Sequence, residues 1–90
     1  MAFKIKRKYQ VYEDPAHAWL KVKKSELQKL GIDNQITAFS YQKGENAYLE
    51  EDQDAGTFIN AKKQQNEEVE TNSNFTNKSS KIRNYESYGK

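Results

Sequence analysis

A chain of 90 residues, 34% hydrophobic and 31% charged, carries apolar material for one modest core and reads as one domain. The absence of cysteine excludes disulfides, thiolate metal ligands and a thiol nucleophile. The net charge of +2 excludes little, because it conceals a basic first third (Lys4, Lys6, Arg7, Lys8, Lys21, Lys23, Lys24, Lys29) and an acidic middle (Asp33, Glu45, Glu50, Glu51, Asp52, Asp54).

Phe3, Ile5, Arg7, Tyr9 and Val11 alternate with Lys4, Lys6, Lys8, Gln10 and Tyr12, the period-two pattern of a half-buried strand. Glu13-Asp14-Pro15 ends it, since proline withdraws a ladder donor and biases its predecessor away from helix. A second strand follows over 18–23, with Ala18, Leu20 and Val22 on one face and Trp19, Lys21 and Lys23 on the other. Ser25 has the chemistry of a helix N-cap and Gln28 closes a capping box, which predicts a helix over 26–30. Gly31 is placed to end it in the left-handed region, with Ile32 supplying the contact of a Schellman end.

Residues 36–42 and 47–51 predict two strands joined around Lys43-Gly44-Glu45-Asn46, where Gly44 and Asn46 tolerate positive φ. Asp52 or Asp54 then caps a helix running to about residue 63, with Ala55, Phe58, Ile59 and the Lys62 methylenes on its buried side. From Gln64 onward the chain turns polar. Residues 69–76 predict an added edge strand, and the last dozen an arm ordered only where Ile82, Tyr85 and Tyr88 find a surface. Short loops favour antiparallel pairing. The expected class is α+β: a small antiparallel sheet of four to five strands packed by two short helices. Residues 1–70 form the compact domain and 71–90 a polar edge strand or extended C-terminal arm.

Few chemistries fit. The acidic run Glu50-Glu51-Asp52-Gln53-Asp54 lacks the spacing of a calcium loop, so no metal is expected, and its acids read as helix caps or as a partner-contacting corner. His17 is the lone histidine and has no nucleophile motif to serve. No phosphate loop, dinucleotide fingerprint or zinc pattern is present. No enzyme activity and no cofactor are expected. The basic strand offers Lys4, Lys6, Lys8 and Tyr12 on one face, cations beside an aromatic as in binders of single-stranded nucleic acid, although exposed-strand lysines also serve solubility and edge protection. No signal-peptide-like run and no stretch of about 18 apolar residues is found, which excludes a membrane partner and predicts a cytoplasmic protein.

The spaced set His17-Ala18-Trp19-Leu20, Ser25–Ile32, Phe39-Ser40-Tyr41, Ala47–Asp52, Asp54-Ala55 and Lys81–Tyr88 resembles small uncharacterised proteins encoded by bacteriophages and mobile elements. Those proteins often carry glycine where Ala18 stands. The resemblance covers most of the chain and implies a setting, an accessory gene whose product binds and blocks a host protein such as a defence nuclease. On this reading the protein is a non-enzymatic binding module whose contact residues are Glu50, Glu51, Asp52 and Asp54 at the hairpin–helix corner, with Tyr85 and Tyr88 on the arm. The alternative is single-strand nucleic-acid binding by Lys4, Lys6, Lys8 and Tyr12.

Overall fold

The alternation at the start of the chain produces strand β1, Ile5–Glu13. The computed structural model describes residues 5–89, so the expectations placed on Phe3 and Lys4 lie outside the described residues. After the turn at Asp14-Pro15 the chain reverses into β2, Ala18–Lys23, with the bounds its alternation predicts. Helix α1, Lys24–Lys29, starts directly from the sheet: the Lys24 N–H donates to the Glu45 carbonyl at 2.9 Å, which holds the chain against the neighbouring hairpin. Ser25 therefore falls inside the first turn, and the expected capping box does not form. The C-terminal expectation is met in full. Gly31 has φ 70°, its N–H donates to the Gln28 carbonyl, and the Ile32 N–H donates to the Leu27 carbonyl, the two bonds of a Schellman end.

The strand predicted over 36–42 is confined to β3, Tyr41–Lys43, because residues 37–40 are drawn into a turn by a buried carboxylate described below. Strand β4, Asn46–Glu50, follows a two-residue turn in which Gly44 takes φ 59°. Helix α2, Asp54–Gln64, has Gln53 at its capping position with no side-chain hydrogen bond, so neither Asp52 nor Asp54 caps it. Phe58 and Lys62 are buried on its inner side, with Ala55 and Ile59 half-buried. Asn66, at φ 61°, then turns the chain into β5, Glu67–Phe75.

Here the expected sheet is corrected. It has six strands in the order β5-β1-β2-β4-β3-β6, where β6 is Glu86–Ser87, and it is mixed. Strand β5 pairs parallel with β1 over nine consecutive positions, from Ile5 with Glu67 to Glu13 with Phe75. The other pairings are antiparallel, which makes β4 and β5 parallel to one another and α2 the crossover between them. Short loops argue for antiparallel neighbours, but the connection that decides this pairing is a helix.

The central strands β2 and β4 are covered on both faces. Leu20, Val22, Ala47 and Leu49 meet Leu27, Ile32, Ile36 and Phe58 on the helical face. On the opposite face Trp19 and Tyr48 meet Ile82, with Tyr12, Tyr41 and Tyr85 around them. The C-terminal segment supplies that second cover through a 3₁₀ turn, Lys81–Asn84, started by Ser80, whose hydroxyl accepts from the Ile82 N–H. The expected edge strand is β5, and the terminal residues fold back as a layer where their side chains find a surface: Ile82 is 2% exposed and Tyr85 lies against Tyr48 at 5.1 Å. Among the described residues no helix is long and apolar enough to cross a membrane.

Candidate functional site

Two buried carboxylates build the corner where β2, β4 and α2 meet. Asp54, the first residue of α2, is fully buried. Its Oδ2 accepts from the Thr37 N–H at 3.1 Å, the Thr37 hydroxyl at 2.7 Å and the Ser40 hydroxyl, which bends residues 37–40 around it. The Ser40 oxygen in turn accepts from the Glu50 N–H at 2.9 Å, so one chain of hydrogen bonds joins helix start, loop and strand end. Among the described residues Oδ1 of Asp54 is buried with no hydrogen-bond partner, and the carboxylate lies at the start of α2, where the helix carries partial positive charge. The partner-contact role expected of Asp54 is corrected here: its side chain has no exposed surface with which to meet another molecule.

Asp14 is the second peg. Its Oδ1 accepts from the N–H groups of Ala16 and His17 and from Arg83 Nη2 at 3.0 Å, while Oδ2 accepts from the Ser80 N–H and from Arg83 Nε at 2.7 Å. The Arg83 guanidinium and these backbone donors hold the carboxyl well below the usual range. The bond pair also fixes the Arg83 guanidinium 5.5 Å above the Trp19 ring, which ties the folded-back segment to the β1–β2 turn.

Between these pegs lies a pocket of about 380 Å³ lined by His17, Trp19, Phe39, Tyr41, Glu50, Asp52, Gln53 and Arg83. Trp19 is its floor, with the Tyr41 and His17 rings 6.1 and 6.0 Å from it. Phe39 stands at the mouth and is 71% exposed, held there by the turn that Asp54 organises. Glu50 and Asp52 form the acidic rim, the Glu50 carboxylate accepting from the Asp52 N–H at 3.1 Å. Glu51 is exposed beside them, its N–H donating to the Ala18 carbonyl. None of these three carboxylates has an ion-pair partner among the described residues, and no group of acids there is placed to hold a metal ion. Comparison with protein-family models, curated proteins and solved structures finds no match.

The remaining predicted residues are dispersed. Tyr85 packs on Tyr48 under the Lys43 ammonium, 4.8 Å from its ring, and Tyr88 packs against the helical-face core with its N–H on the Ser40 carbonyl. Both are half-buried and neither lines the pocket. On β1, Lys6 faces Glu68 at 3.9 Å and Glu70 at 3.8 Å, Lys8 is opposite Glu70 in register, and the Tyr12 ring lies 6.4 Å from Tyr48. The strand's basic face is thus lined by β5 acids, and its aromatic is engaged. Sequence reasoning missed Phe39, Tyr41, Trp19 and Arg83 as pocket residues. Their alternating placement, Trp19 two residues from His17 and Tyr41 two from Phe39, was the available signal.

Proposed function

We propose that this chain is a non-enzymatic binding protein whose acidic and aromatic pocket receives a basic side chain, lysine or arginine, presented by a partner protein. The observation that carries the reading is the juxtaposition of an exposed Phe39 with carboxylates that have no ion-pair partner among the described residues, above a floor of packed rings. An apolar anchor beside unpaired charge is the composition of an interface hot spot, and aromatic faces attract cations as well as apolar groups. The intramolecular Arg83 stacked on Trp19 is a local precedent for that chemistry. The phage-like setting expected from the resemblance makes the partner a host protein with a basic surface, a defence nuclease being the case it suggests.

Titration with a fluorescent arginine- and lysine-rich peptide tests the pocket, and capture from bacterial lysate by the wild type and a Phe39→Ala/Asp52→Asn variant identifies the partner. Loss of the anchor and one carboxylate should weaken binding about thirtyfold, the equivalent of about 2 kcal/mol. Undiminished binding by the folded variant rejects the site.

A further inference from the structure

A second concavity, of about 1290 Å³, lies between the first halves of β1 and β5 and helix α1. It exists because β1 keeps register with β2 only over Val11–Glu13, so residues 5–10 run on with β5 alone and leave the rest of the sheet. Helix α1 flanks the opening, and the buried Lys62 lies at its inner end, bonded to Glu26 and to Glu67, with the Tyr9 hydroxyl on Glu26.

The charge of this groove is unbalanced. Among the described residues six cations line it against two carboxylates, Glu26 and Glu67, and both of those are already engaged by Lys62, Glu67 by Arg7 as well. Lys8, Lys23 and Lys29 are left exposed with no ion pair among the described residues. They come from three different elements, β1, the end of β2 and α1, and the fold brings them to one opening. Among the described residues the lining is mostly polar, with Tyr9 and Leu30 its large apolar or aromatic members, and charge rather than apolar burial dominates it. Its volume exceeds the roughly 300–1,000 Å³ of sites for single small ligands. A flexible chain of phosphates asks for cations along an open groove and little apolar burial.

We propose that the groove between β1 and α1 binds single-stranded nucleic acid, with Lys8, Lys23 and Lys29 contacting successive phosphates. Lys6 also lines the groove, but it is held by Glu68 and Glu70 and is not counted among the three phosphate contacts. It is independent of the acidic pocket, which the other end of β2 helps to form.

Fluorescence anisotropy with a labelled single strand of about 12 nucleotides is the test, since one small domain covers about 4–16. Three neutralised phosphates give a salt slope of about −2, so affinity should fall roughly twentyfold between about 50 and about 200 mM salt. A Lys8→Gln/Lys23→Gln/Lys29→Gln protein, its fold checked by circular dichroism, should lose most of the binding and nearly all of that salt dependence. Phe39→Ala/Asp52→Asn should retain binding within about threefold, since it leaves the lining of the groove intact. Absence of binding at low salt, or equal losses in Phe39→Ala/Asp52→Asn and the triple variant, overturns the proposal. So does equal displacement by inorganic phosphate at matched phosphate concentration, which would assign a single-phosphate site.

Discussion

Replacing Asp54 with alanine should unfold the corner before it touches any ligand. Its Oδ2 accepts three hydrogen bonds, from the Thr37 N–H, the Thr37 hydroxyl and the Ser40 hydroxyl, in a site with no solvent exposure. Hydrogen bonds to a charged acceptor contribute about 1.5–3 kcal/mol each, so three at the lower figure give about 4.5 kcal/mol. Relief of the partnerless Oδ1 offsets on the order of 1–2 kcal/mol of this, which leaves a net loss of about 3 kcal/mol. A 90-residue domain has a total stability of about 5–13 kcal/mol, so the loss is a large share of it. Urea denaturation followed by tryptophan fluorescence reports it through Trp19, and with a slope of about 1.5 kcal/mol/M the midpoint should fall by about 2 M. Asp54→Asn keeps one acceptor oxygen and should lose less. A shift below about 0.5 M for Asp54→Ala, at unchanged slope, would refute the claim that this carboxylate organises the turn bearing Phe39.

Three further outcomes are expected. Ile82→Ala should cost about 2–5 kcal/mol if residues 81–85 are a true second cover of the sheet, and a change under about 0.5 kcal/mol by thermal or urea denaturation would return them to the status of a loose arm. Asp14 has a depressed folded pKa, so its contribution is present above the ordinary value of 3.8 and is lost as pH falls below about 4 toward the folded value; Asp14→Asn should flatten the stability profile in that acid window, and an unchanged profile opposes the assignment. Burial, with the Glu26 carboxylate as the next cause, pushes the Tyr9 phenol up to about 12, so folding stability should decline as pH rises from about 10 through 12. Tyr48 and Tyr88 are raised as well, so ultraviolet difference titration should show several late-ionising tyrosines, of which one moves down in Glu26→Gln; no such movement would argue against the Tyr9–Glu26 contact.

What could be read from the sequence was local. The bounds of β2, the Schellman end at Gly31 and the Gly44 turn each depend on a few adjacent residues whose chemistry admits one conformation. The misreadings share a different cause. An aspartate at a helix start reads as a cap, and nothing within three residues of Asp54 shows that Thr37 and Ser40 will enclose it from 17 and 14 positions upstream. The acids that face β1 come from far along the chain, since Glu67, Glu68 and Glu70 arrive on β5 after a crossover. Likewise the terminal aromatics were legible as needing a surface. That the surface was Trp19 and Tyr48 depended on which residues β2 and β4 turn away from the helices.

The parallel β1–β5 pairing also has a kinetic side. Partners in this ladder stand 62 residues apart, and long-range closure of this kind places a chain among slower folders. At a synthesis rate of about 5–20 residues per second, β1 waits roughly 3–12 s for its partner to be made. Throughout that interval it is an open edge with a full row of unpaired backbone groups. Positive side chains on an unpaired edge disfavour pairing with another copy, and Lys6, Arg7 and Lys8 put such charge on β1. The glutamates that meet Lys6 and Arg7 in the finished sheet arrive only with β5.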